Sequence, residues 1–228
     1  MNEIANVRAF FNERHITLNS EWEDDAIGYV KSQLRNGDDI LKLSKSVFVQ
    51  WLNSDLREST QPTLNVPANA TGITVVKPAL VQLTSILNIS ESAYSQYRSK
   101  IMDLTEDNSE FRDPSETSHE QVEKPKYGNI QPKKPPMYMY KLSDGNITLK
   151  AVIAETINGL DCNTPIGAKL LLIPKFLCRY RVLKLTSQNC QFLGGYNEQC
   201  IDKDDPLSKL LNRIENTENR QPPLISQP

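Results

Sequence analysis

A change of period along the chain constrains its fold more than any other feature. Apolar residues recur every three or four positions up to about residue 56, and every second position in segments from residue 137 onward. The first spacing belongs to helix faces and the second to half-buried strands, so both must pack within one chain. Ile4, Val7, Phe10 and Phe11 form one helical stripe, and Trp22, Ala26, Ile27, Val30 and Leu34 form a second. A third element carries Ile40, Leu41, Leu43, Val47, Phe48, Trp51, Leu52 and Leu56. Asn19 or Ser20 can cap the second helix, with Glu23 in its first turn, and Asn36-Gly37 ends it. Short connections between such helices predict a three-helix bundle over residues 1–60.

Residues 57–72 are rich in Pro, Thr and Asn and read as a linker. A long strand-like stretch follows from Val75 to Ile89, broken at Pro78. MYMYKLSD (137–144) alternates and runs into Asp144-Gly145, a hairpin signal, and ITLKAVIAE (147–155) is the returning strand. GAKLLLIP (167–174), RYRVLKLT (179–186) and CQFLGG (190–195) complete the strand set. One long strand and then short ones suits a five-stranded Greek-key OB barrel over residues 61–200. Pattern alone also admits an SH3-like barrel or an open sheet. Residues 98–136 are polar, charged and proline-rich, and too poor in apolar surface to offset their ordering entropy. They are expected to be a flexible insertion between strands one and two. Leu207, Leu210, Leu211 and Ile214 predict a C-terminal helix within 201–217, followed by a disordered tail over 218–228. The expected class is therefore α+β, a three-helix bundle packed on the barrel.

Composition excludes several roles. The net charge is −2, so no global basic field points to nucleic acid. No apolar run is long enough for a membrane helix, and MNEIANVRAFFNERH lacks the marks of a signal peptide, so an intracellular chain is expected. Cys162, Cys178, Cys190 and Cys200 match no zinc spacing and read as reduced thiols. Phosphate-loop, dinucleotide, metalloprotease and nucleophile-elbow motifs are absent from the sequence. Acidic pairs such as Asp24-Asp25 sit at expected helix starts, where the macrodipole explains them. No catalytic residue, cofactor or metal is expected. A partial single-stranded nucleic-acid face exists in Tyr138, Tyr140 and Lys141 on one strand and Arg179, Tyr180, Arg181 and Lys184 on another. The competing reading makes the alternating tyrosines packing residues.

VFVQWLNSDLR (47–57) and ILNISESAYSQYR (86–98) resemble the RecQ-mediated genome instability protein 1 family. The likeness continues in MYMYKLSDG, in NTPIGAKLLLI and in VLKLTSQNCQFLGG, in the family's order. The resemblance implies a nuclear scaffold whose barrel binds topoisomerase III and whose insertion reaches the topoisomerase gate. With a RecQ helicase, that complex dissolves double Holliday junctions. Longer members carry a second OB fold that this chain lacks, so it looks like a short or truncated form. By motif match, Lys169 is expected to face the topoisomerase, with Pro165, Ile166 and Gly167 beside it. Phe111, Tyr127 and Ile130 are the insertion's expected apolar anchors, and Lys124, Lys126, Lys133 and Lys134 are placed to meet DNA or acidic protein.

Overall fold

The computed structural model describes residues 3–33, 40–67, 71–109, 136–200 and 206–218. They fall into two units, Met1–Leu87 with Tyr138–Asp202, and Asn88–Met137 with Lys203–Pro228.

The first unit opens with α1 (Glu3–Asn12), α2 (Ser20–Gln33), α3 (Ile40–Leu52) and the single turn α4 (Leu56–Ser59). The apolar stripes read from the sequence converge: Val7, Phe11, Ala26, Ile27, Val30, Leu43, Val47, Trp51 and Leu56 are buried together. Phe10, Phe11, Phe48 and Trp51 pack ring against ring, with centroids 5.3–6.0 Å apart. The Trp51 Nε1–H donates to Thr60 Oγ1 at 2.9 Å, so its polar edge is satisfied inside this core. Of the two residues that could cap α2, Asn19 does so, its Oδ1 accepting from Glu21 N at 3.3 Å. The Asn36-Gly37 stop lies outside the described residues.

The sheet comprises β1 (Gly72–Val75), β2 (Ala79–Asn88), β3 (Tyr138–Ser143), β4 (Thr148–Ile153), β5 (Lys169–Leu172), β6 (Phe176–Arg179), β7 (Val182–Leu185) and β8 (Cys190–Gly194). Its order is β1-β6-β7-β4-β3-β2-β5-β8, with β4 and β7 parallel. The expected α+β class holds, with eight strands among the described residues rather than the five anticipated, and two of the additional strands have local reasons. Pro78 cannot donate to a ladder and separates β1 from β2. RYRVLKLT is not one strand: the chain reverses at Tyr180 and Arg181, whose φ angles are +48° and +60°. Residues without glycine rarely take that left-handed conformation in succession, so no Gly marked the turn.

Side chains from the inner faces, among them Val81, Leu83, Tyr140, Leu142, Leu149, Ala151, Leu170, Leu172, Leu183 and Leu185, form the barrel core. Strand β2 is buried on both sides from Ala79 to Leu83. Ala79, Val81 and Leu83 enter the barrel, while Leu80 enters the helical core. Residues 57–72 are more than a linker: Leu64 and Val66 are buried in the barrel core.

The second unit holds α5 (Ala93–Ser109) and α6 (Pro206–Glu218), which pack on each other. The flexible insertion expected from residue 98 therefore begins inside a helix. Ser92 Oγ accepts from Ser95 N at 3.0 Å, and residues 93–109 contain no Gly or Pro to stop what that cap starts. The remaining insertion residues, with Phe111, Lys124, Lys126, Tyr127, Ile130, Lys133 and Lys134, lie outside the described residues, as does the segment from 219.

Candidate interaction site

Lys169 is the centre of a polar seam between the helices and the barrel. It stands on β5 directly opposite Gln82 of β2, on the sheet face that the helices cover. Its side chain is 0 % exposed. The Nζ donates to the carbonyls of Leu52 at 3.1 Å, Ser54 at 2.5 Å and Gly167 at 2.9 Å. Two of these close the C-terminus of α3, where helical carbonyls have no partner of their own and a cation is favoured. Gln82 completes the seam. Its Oε1 accepts from Leu56 N at 3.0 Å, and its Nε2 donates to Asp55 Oδ1 at 3.0 Å. Asp55 in turn caps α4 by accepting from Arg57 N at 2.8 Å. Burial lowers the Lys169 ammonium to about 8, against the opposing pull of Cys200 and Asp55. The expectation that Lys169 faces a partner is corrected here, since a side chain enclosed by three carbonyls offers nothing to an approaching surface.

The neighbours expected beside it divide. Pro165 is exposed and Ile166 half-buried. Gly167 is buried at φ +91°, and a Cβ there would meet Asn197 N at 2.4 Å, so its role is close packing. Backbone bonds hold this turn from both sides, Gly167 N to Leu83 O at 2.7 Å and Asn197 N to Ile166 O at 3.1 Å. Pro165 is thus presented to solvent on a fixed support, while Ile166 also packs partly against the barrel core.

Asp144 pins the segment that follows α4, close to the same seam, with Gly145 packed on the backbone of Leu56 and Arg57. Its Oδ2 accepts from Leu64 N at 2.7 Å, and its Oδ1 from Asn146 N at 3.0 Å and Ile147 N at 2.7 Å. The Asp-Gly hairpin therefore also anchors the segment leading out of the helices. A cleft of about 600 Å³ opens where Phe48 and the Glu13–His15 turn face Leu171, Ile173, Phe192 and Leu193.

The aromatic half of the expected nucleic-acid face is corrected too. Tyr140 is 2 % exposed and Tyr138 packs against the barrel core, so neither ring is free to stack on a base. Burial pushes the Tyr140 phenol up to about 12. Arg179 is exposed, and Arg181 is half-buried with its Nη2 donating to Thr148 O at 2.9 Å. Sequence reasoning missed Asp55 and Gln82. A lone glutamine inside the apolar run Ala79–Leu83 was the available signal for the second, because a buried amide demands partners. Among the described residues, no group of three His, Cys, Asp or Glu side chains could hold a metal ion.

A family model described as "RMI1, N-terminal OB-fold domain" matches residues 52–206. The RecQ-mediated genome instability protein 1 of Xenopus laevis is 30% identical over 213 residues, which covers 89% of this chain and 36% of that protein. The protein of the same name in Danio rerio is 29% identical over 204 residues, covering 88% and 37%. That of Gallus gallus is 28% identical over 219 residues, covering 91% and 33%. The chain spans about a third of the length of these curated relatives.

Proposed function

The chain belongs to the RecQ-mediated genome instability protein 1 family, and from that premise we propose that it is a non-catalytic scaffold subunit that binds topoisomerase III. In this reading it works in the nucleus with a RecQ-family helicase, promoting decatenation and the dissolution of double Holliday junctions. The relatives' name ties them to RecQ-mediated genome stability.

One observation carries the reading beyond the name. The seam of Lys169, Gln82 and Asp55 joins helices and barrel through buried polar contacts into one platform. A rigid platform suits a docking subunit, because little ordering cost is left for the moment of binding. At the matched motif Pro165 is exposed and Ile166 is exposed in part, and in this reading they take over the contact role first given to Lys169. The segment 110–135 supplies the second half of the proposal, with lysines and isolated apolar residues for a topoisomerase gate. Such a segment biases the gate only by binding its open state better than its closed one.

The test is a pull-down with purified topoisomerase III. It compares the intact chain, Ile166→Asp, and a chain whose residues 110–135 are replaced by a short Gly/Ser linker. The expected result is binding by the intact chain, loss with Ile166→Asp, and retained binding without stimulated decatenation for the replaced segment. No binding by the intact chain would end the scaffold reading.

A further inference from the structure

The helices of the first unit carry a groove that the scaffold reading does not use. Trp22, Asp25, Ala26 and Tyr29 of α2 line one wall. Gln50 of α3, with Asn53 and Ser54 just after it, lines the other, around about 370 Å³ of open space. None of these residues belongs to the barrel. Residues three, four and seven apart share one flank of a helix, so Asp25 sits between the two rings, which are about 10 Å apart along the axis. Trp22 packs against the helical core without being fully buried, and Tyr29 is 52 % exposed.

Charge and hydrogen bonding in the groove point the same way. Asp25 is the one charged residue that lines it. The macrodipole does not account for this carboxylate, because α2 starts at Ser20 and Asp25 lies in its second turn. Glu21, one turn earlier on the same flank, adds a second negative charge. Lys31, the one cation of α2, is paired with Glu3 of α1, and Arg8 is paired with Glu23. The ion pairs among the described residues include neither Asp25 nor Glu21.

The α3 wall supplies acceptors. Asn53 Nδ2 donates to Val49 O at 3.1 Å, and Ser54 Oγ donates to Trp51 O at 2.8 Å. Ser54 is left with acceptor capacity alone, and Asn53 with its amide oxygen free to accept. The Ser54 carbonyl is held by Lys169 Nζ, which fixes this wall on the polar seam. A ligand that fits is cationic, rich in donors and flat enough to lie on aromatic rings. An ammonium is a compact, strongly hydrated point charge. A guanidinium is planar, more weakly hydrated, carries more donors and stacks on aromatic faces. The second matches the groove.

We propose that the groove between α2 and the end of α3 binds an arginine side chain of a partner peptide, its guanidinium lying against Trp22 and Tyr29, paired with Asp25 and donating to Asn53 and Ser54. The site shares no residue with the Pro165–Ile166 turn and does not depend on the topoisomerase reading.

NMR titration of the isotope-labelled full chain with the peptide acetyl-Gly-Ser-Arg-Ser-Gly-amide tests this. The chain has two tryptophans, so each indole N–H signal can be followed by itself. That of Trp22 is expected to shift saturably, while that of Trp51, bonded to Thr60 inside the core, stays still. Asp25 and Tyr29 are exposed, so Asp25→Asn and Tyr29→Ala leave the core intact. Each is expected to weaken binding about two- to fivefold. Asp24→Asn removes the same charge from a neighbouring position on another flank and should leave the affinity unchanged. The citrulline version of the peptide, close in shape and uncharged, should cause no saturable shift. An unmoved Trp22 signal with the arginine peptide overturns the proposal. So does equal weakening by Asp24→Asn, which would reduce the effect to the net charge of the helix. Equal affinity for the matching lysine peptide overturns it as well, because a planar ion would then have no advantage.

Discussion

Lys169 shows how far a single residue can be misjudged from a motif. A lysine in a matched strand reads as a surface cation, yet its Nζ is shared among the carbonyls of Leu52, Ser54 and Gly167. Lys169→Met would leave those acceptors buried without a donor, at a cost of about 2–4 kcal/mol in unfolding free energy. A denaturant titration at neutral pH measures it. The pH dependence has a definite sign. The folded value near 8 lies below the ordinary 10.5, so above pH 8 the native chain has released a proton that the unfolded chain still holds. Stability contributed by this group therefore rises between about pH 8 and 10.5 and is flat below. Cys200 lies within the same field, so the comparison belongs in a Cys200→Ser background, with and without Lys169→Met. The stability gap should widen across that window, and a gap that narrows would refute the assignment. Gly195 makes the same seam tight from the other side. At φ +96°, a Cβ there would lie 2.2 Å from Leu52 O, so Gly195→Ala should destabilise by about 3 kcal/mol or more.

At the scale of elements, the sequence was most readable where one periodicity acted alone. The stripes of α1 and α2, the Asp-Gly hairpin between β3 and β4, and the apolar run of β5 all appear where they were expected. It was least readable where tertiary contacts overrode local preference. Residues 57–72 look like a linker, but Asp144 accepts from Leu64 N and draws Leu64 and Val66 into the barrel. Removing that acceptor in Asp144→Ala strands three backbone N–H groups and should cost about 2–4 kcal/mol, read as a lower denaturation midpoint. The β6–β7 turn escaped notice because Tyr180-Arg181 is a poor sequence for its own geometry. Replacing the pair by Asn-Gly supplies residues that accept both positive φ values, and should stabilise the unit by about 1–2 kcal/mol. Calorimetry checks the gain.

At the scale of the whole first unit, two cores meet along β2 and β5. Leu80 lies in the helical core while Val81 and Leu83 lie in the barrel, so the shared strand binds the fates of both. The polar seam adds orientation to that coupling, because hydrogen bonds to Leu52, Ser54 and Leu56 are met only when α3 and α4 sit over Gln82 and Lys169. Sequence could show each core but not their junction, since Gln82, Lys169 and Asp55 are far apart in the chain and polar in type. Both tryptophans, Trp22 and Trp51, lie in the helical part, so fluorescence reports that part alone. Hydrogen exchange at β4 and β7 reports the barrel. In the native chain the two signals should lose structure at the same denaturant concentration. In the double variant Gln82→Leu/Lys169→Met the fluorescence transition should fall first, leaving β4 and β7 protected at intermediate denaturant. Coincident transitions in that variant would mean that apolar packing through Leu80 alone couples the cores, and that the polar seam fixes geometry without carrying cooperativity.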